Sequence, residues 1–133
     1  MKYMLDTNIC IYAIKHNPQK VIEHLREHAP SDMCISSITY AELCHGVEKS
    51  QNKIRNKIAL TVLLANIKIE PFDASSAENY GLVKAKLEKA GTPIGPLDTM
   101  IAGHAMSMGC TVVTNNTKDF SRVDGLIIED WTI

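Results

Sequence analysis

Met4-Leu5-Asp6-Thr7-Asn8 decides how the rest of the chain is read. Two apolar residues run into an acid and two small polar residues, the pattern of a buried strand that turns at once into a helix. An acid at that junction faces the crevice beyond the carboxyl ends of the strands, where open α/β sheets bind ligands. A second isolated acid, Asp98, opens a helix after the Gly/Pro-rich stretch 91–97 and can face the same crevice. A third, Glu42, stands in the apolar helical segment 38–47. Two carboxylates ~4 Å apart repel by roughly 4 kcal/mol at an effective dielectric of about 20, so a converging set must take up protons or a cation.

Working outward, the remaining chain alternates strands and helices. Residues 2–5, 33–35, 67–70, 110–113 and 126–128 read as short strands, and 110–113 is near-continuously apolar, as a central parallel strand should be. Helices are expected over 8–15, 18–28, 37–49, 52–66, 73–91 and 98–109. Asn17 is read as an N-cap with Pro18 at the first helical position, Ser36 and Ser37 as caps of the next helix, and Asp73 as the cap of the long one. Ile54, Ile58, Val62 and Ala65 share one helical face. Strands separated by helices imply a parallel α/β sheet with right-handed crossovers. No repeat or linker divides residues 1–133, so one domain is expected.

Composition is that of an ordinary soluble protein, 45% hydrophobic and 22% charged. No apolar run approaches the roughly 18 residues of a membrane span. Asp6 and Asn8 interrupt the stretch where a signal peptide would be apolar, so a cytoplasmic protein is expected. Cys10, Cys34, Cys44 and Cys110 form no CxxC pair and read as reduced, packed thiols. The net charge of −1 does not mark the whole chain as a nucleic-acid binder. Two local stripes are basic: Lys49, Lys53, Arg55 and Lys57, and Lys84, Lys86 and Lys89.

Each acid also has a plainer reading. Asp6 could cap the following helix, although Asn8 is as good a cap. Thr39 to Glu42 fits a capping box, unless the serines place the cap earlier and leave Glu42 in mid-helix. Asp98 suits an early helical position through the dipole, and Asp119 suits a solvated turn after Thr114-Asn115-Asn116. Taken jointly, the acids favour an oxygen-ligated ion, Mg²⁺ or Mn²⁺, over a purely structural role. His24 and His28 have zinc-like i, i+4 spacing but no third ligand, and His45 and His104 read as packing or hydrogen-bonding residues. No nucleophile elbow, GxGxxG or Walker motif is present.

Four motifs in order resemble the PIN domain: Met4-Leu5-Asp6-Thr7-Asn8, residues 36–43 (SSITYAEL), residues 96–102 (PLDTMIA), and Val113-Thr114-Asn115-Asn116 with Asp119-Phe120. Within that family the chain is most similar to the VapC toxins of bacterial toxin–antitoxin pairs. Asn115-Asn116 and Glu129-Asp130-Trp131 look like the group that cuts initiator tRNA, tRNA(fMet), in its anticodon stem-loop. The resemblance implies a PIN-like three-layer sandwich, a short and mostly parallel sheet flanked by helices. It also implies a metal-dependent endoribonuclease, a homodimer, and a VapB-type antitoxin. The family's first three acids map onto Asp6, Glu42 and Asp98 as catalytic and metal-holding residues. Its fourth acidic position falls on Asn116, so Asp119 supplies that carboxylate or the position has no acid. Thr114 and Asn116 would position water or phosphate, and Asn8 would orient Asp6. In-line attack at one or two metals would leave a 5′-phosphate and a 3′-hydroxyl. The alternative from another class is a phosphoacceptor receiver-like module, for which Asp6 lacks a neighbouring acid and the 114–116 segment lacks a lysine.

Overall fold

Short runs of apolar and β-branched residues become the strands. In a computed structural model describing residues 2–133 these are β1 (Tyr3–Leu5), β2 (Met33–Ser36), β3 (Lys68–Glu70), β4 (Thr111–Val113) and β5 (Ile128–Glu129). They form one sheet in the order β3-β2-β1-β4-β5, and every neighbouring pair is parallel. Met4 lies opposite Cys34 on one side and Val112 on the other. The first strand is therefore central, and its Met4 and Leu5 are fully buried because both sheet faces are covered.

Alternation along the strands feeds two cores. Met4, Cys34 and Val112 pack with Val83 and Leu87 of α5 (Ala74–Lys89) and Ile101, Ala102 and Ala105 of α6 (Pro96–Met108). Leu5, Ile35 and Val113 pack on the opposite face. Their partners are Ile9 of α1 (Thr7–Lys15), Val21 of α2 (Gln19–Glu27), Leu43 of α3 (Ser37–Glu48) and Leu60 of α4 (Lys53–Leu64). Helices, sheet and helices make three layers, as the PIN-like reading expects. Each fully buried Leu, Ile or Val contributes about 1.5–3 kcal/mol, so a domain of this size closes without staples. The four cysteines are free.

Several local expectations shift. Pro18, rather than Asn17, is the N-cap of α2, and the Asn17 N–H is bonded to Tyr12 O at the close of α1. The final strand begins at Ile128, two residues late, where Val112 N–H meets Ile127 O and Thr114 N–H meets Glu129 O. A one-turn helix, α7 (Thr117–Phe120), occupies what reads as a turn. The Ile54-Ile58-Val62 face of α4 is exposed (80%, 59% and 71%), because Leu60, Leu63 and Leu64 face the core instead. His24 and His28 stack on buried Trp131 at ring separations of 5.5 and 4.6 Å, so they anchor the C-terminal tail.

The placement of α6 depends on one glycine. A Cβ on Gly103 would lie 2.6 Å from Tyr80 N, so α5 and α6 cross backbone to backbone there. Gly109, at φ 66°, closes α6 in the left-handed conformation that glycine adopts without strain. No helix among the described residues is long and apolar enough to cross a membrane.

Candidate active site

Asp6 leaves β1 in an extended conformation and caps α1: its Oδ1 accepts from Ile9 N–H at 2.9 Å. Capping therefore falls to Asp6 and not to Asn8, which is exposed in the first turn. The cap occupies one oxygen and fixes the carboxylate. Thr114, at the end of β4, adds a side-chain hydrogen bond to Asp6 and accepts from Asn116 N–H at 2.9 Å. Asp6 is thus oriented by Ile9 and Thr114, in place of the expected Asn8.

Glu42 lies in the interior of α3, whose N-cap is Ser36, with Ser36 Oγ accepting from Ile38 N–H. The capping-box reading is thereby removed. Its Oε1 instead accepts from Thr7 Oγ1 at 2.6 Å, across 35 residues of sequence. Asp98 sits in the first turn of α6, where Pro96 opens the helix and the dipole favours an acid. Asn116, the residue before α7, donates from Nδ2 to Asp98 Oδ2 (3.2 Å) and to Asp119 Oδ2 (3.1 Å). The sheet brings these acids together: β1 is flanked by β2 and β4, and the segments leaving all three converge at one edge.

Electrostatics record the convergence. Burial pushes the Asp6 carboxyl up to about 6, and the charges of Asp98 and Glu42 push in the same direction, against the hydrogen bonds from Thr114 and Ile9. Asp98 is also raised, by burial first and then by Glu42 and Asp119, while the Asn116 amide opposes the rise. Asp6 therefore ionises reluctantly, and a positive ion is what its surroundings lack.

Among the described residues no group of three or more His, Cys, Asp or Glu side chains is placed so that it could hold an ion by itself. A divalent ion bound here would take its remaining ligands from water and substrate, as Mg²⁺ does where one or two carboxylates hold it. The donors are all oxygen, and Asp6, raised by burial, lies at the exit of the central strand. The residues present fit a divalent ion of this kind.

Of the expected site residues, Asp6, Glu42 and Asp98 interact directly through their charges, and Asp119 joins through Asn116. Thr114 and Asn116 are hydrogen-bonded into the set. Sequence reasoning missed three residues. Thr7 holds Glu42, Tyr12 Oη accepts from Asn115 Nδ2 at 2.9 Å, and Arg122 Nη1 lies 3.7 Å from Asp119 Oδ1. The i, i+3 spacing of Asp119 and Arg122 could have revealed the last, whereas the other two pairings span distances that no local pattern encodes. Of the expected basic stripes, Lys84 and Lys86 are spent on exposed ion pairs with Glu88 and Asp124. His104, fully buried, bonds Ser36 Oγ through Nδ1 at 2.8 Å, in line with a packing and hydrogen-bonding role.

A parallel sheet whose central strand delivers an acid to a cluster of oxygen donors is the arrangement of the PIN domain, and the PIN sequence pattern matches residues 3–126. The chain belongs to the PIN domain family. Within it the chain groups with the VapC proteins. It is 47% identical to the tRNA(fMet)-specific endonuclease VapC of Shigella flexneri over 132 residues, 99% of either chain. Two solved structures are similar throughout. DNA-bound VapBC from Salmonella typhimurium has a TM-score of 0.93 at 45% identity, covering 98% of each chain. VapBC2 from Rickettsia felis, bound to a promoter DNA fragment, has a TM-score of 0.92 at 41% identity, covering 98% of this chain and 99% of that one. The receiver-like alternative finds no support in these likenesses.

Proposed function

We propose that the chain is the ribonuclease toxin of a VapBC-type toxin–antitoxin pair, a divalent-metal-dependent endoribonuclease acting on initiator tRNA. The observation that carries this reading is the meeting of Asp6, Glu42 and Asp98 at one sheet edge, with Asp6 destabilised as an anion. The tRNA and the VapB-type antitoxin are proposed because relatives similar over nearly the whole chain carry those names. A tRNA substrate places the activity in the cytoplasm, and the whole chain is read as one PIN unit that pairs as a homodimer.

A bound Mg²⁺ or Mn²⁺ supplies neutralisation of a phosphate oxygen and a more acidic water. The chain's own residues set the stage. Asp6 and Asp98 are the residues that would hold the ion. Glu42, fixed by Thr7, would orient the attacking water. Thr114 steadies Asp6 while its oxygen holds the Asn116 backbone, so the 114–116 turn keeps its distance from β1. Asn116 keeps Asp98 and Asp119 apart but bridged.

The test is incubation of antitoxin-free protein with total tRNA and Mg²⁺ or Mn²⁺, beside EDTA and Asp6→Asn controls. Discrete fragments of initiator tRNA ending in a 5′-phosphate, absent with EDTA and in the variant, are expected. Folded protein that cuts no RNA with either metal would overturn the reading.

A further inference from the structure

Arg122 is not accounted for by a three-acid site. Among the described residues it is the cation that an ion pair sets against a site acid, with Nη1 3.7 Å from Asp119 Oδ1. The same Nη1 donates to Pro93 O at 3.1 Å, in the loop that leads into α6 and Asp98. Its backbone N–H is bonded to Asp119 O at 3.1 Å, which fixes the turn between them. A ring of contacts therefore runs Asp98, Asn116, Asp119, Arg122, Pro93 and back along the chain to Asp98. Side chains locked in this way are held in place before a ligand arrives.

Both oxygens of Asp119 are engaged by the protein: Oδ2 with Asn116 and Oδ1 with Arg122. That suits an acid that aims a guanidinium better than one kept free for an ion. A guanidinium has five N–H donors in a planar fork, and one nitrogen carries both of the contacts above. About a third of the Arg122 side chain remains exposed. Arg122 also lines a mostly apolar cavity of about 760 Å³ beside α5, whose lining includes Lys89, and Lys86 ion-paired with Asp124. It therefore belongs both to the ring of acids and to the lining of that cavity.

We propose that Arg122 binds a phosphate of the RNA next to the scissile one, and that Asp119 is the residue that positions it. This rests on the ribonuclease reading. A cluster of carboxylates repels a polyanion, and a forked cation at its rim lowers that barrier while fixing the register of the backbone. The strand then leaves over Arg122 towards Lys89.

The experiment measures tRNA binding in EDTA at several salt concentrations, and separately KM and kcat with Mn²⁺. It uses the unmodified chain, Arg122→Gln, Arg122→Lys, Asp119→Asn, and the Arg122→Gln/Asp119→Asn pair. Arg122→Gln is expected to weaken binding roughly tenfold. It should lower the slope of log affinity against log salt by about 0.7–0.9, the loss of one phosphate contact. In turnover the loss falls mainly on KM. Arg122→Lys should keep the slope and recover part of the affinity. The Arg122→Gln/Asp119→Asn pair should lose no more than Arg122→Gln alone, because Asp119 acts through Arg122. Unaltered affinity and slope in Arg122→Gln would overturn the proposal. So would a fall in kcat and melting temperature with the slope intact, since Arg122 would then only clamp the 91–95 loop. Absence of cleavage by the unmodified chain would instead count against the ribonuclease reading, while the binding slopes would still decide the role of Arg122.

Discussion

The inner wall of the site and its rim treat their acids in opposite ways. On the inner wall Asp6 is 3% exposed, and the neighbouring charges add to the cost of its burial. At the rim, Asn116 and Arg122 supply donors and a positive charge to Asp98 and Asp119, and Asp119 is a third exposed. The inner wall stores unfavourable charge that an ion relieves. At the rim Arg122 balances the charge of Asp119, while Asp98, raised by burial and by Glu42 and Asp119, still shares the need of Asp6 for an ion. A cation is therefore required at Asp6 and Asp98, whereas the Asp119 carboxylate belongs to the scaffold that holds Arg122.

The largest effect is expected at Asp6. Asp6→Asn should reduce cleavage by more than about a hundredfold, beyond the loss typical of residues that only support a metal ligand. The same change should stabilise the metal-free protein at neutral pH, because Asn caps a helix as well as Asp does. The Asp6 carboxyl is raised in the folded state from 3.8 to about 6, so the folded protein holds its proton more tightly than the unfolded chain. Its contribution to stability is complete below pH ~4 and is lost as the pH rises through about 6. By neutral pH that loss is at most roughly 3 kcal/mol. Melting curves of both proteins from pH 4 to 7.5 should therefore diverge upward in pH, with Asp6→Asn the more stable. Curves that stay parallel would show that Asp6 carries no such strain.

Mn²⁺ should raise the melting temperature of the unmodified chain and leave that of Asp6→Asn nearly unchanged. An equal rise in both would place the ion away from the inner wall. Thr7→Val comes next. It removes the hydroxyl that holds Glu42, and a loss of about tenfold or more in activity or apparent metal affinity is expected, read by titrating Mn²⁺. Gly103→Ala tests how α6 is placed. Crowding against Tyr80 should cost about 1–3 kcal/mol by denaturant unfolding and lower activity by displacing Asp98. The smallest change is expected from Asn116→Ala at the rim, a destabilisation of about 1 kcal/mol in metal-free protein, because Asp98 and Asp119 lose their shared donor. A loss of cleavage there as large as that at Asp6 would erase the distinction between wall and rim.

Residue patterns located the strand-to-helix junction at Asp6 and the apolar strand before Thr114, because a buried parallel strand must be apolar on both faces. The α4 stripe shows the limit of such reading. Periodicity identifies Ile54, Ile58 and Val62 as one face but does not say which of the helix's two apolar faces meets the core. Asn8 illustrates the same limit within the site: adjacency in sequence suggests that it orients Asp6, yet on α1 it is exposed while its neighbours Thr7 and Ile9 turn inward. The turn expected around Asp119 is the one-turn helix α7, and its four residues are too few to establish a period in the sequence.

Local pattern and ordered motifs were enough for the alternation of strands and helices, the parallel sheet and the family, and they pointed to the three acids that the fold brings together. Only the tertiary structure decided which donors serve those acids. Thr7 reaches Glu42 across 35 residues, Asn116 bridges Asp98 and Asp119, and Arg122 ties Asp119 to the loop before α6. Such pairings depend on strand order, which puts β1 between β2 and β4, and on how closely α5 and α6 approach. Both are properties of the packed chain, because a hydrogen bond between distant segments leaves no mark in either segment alone.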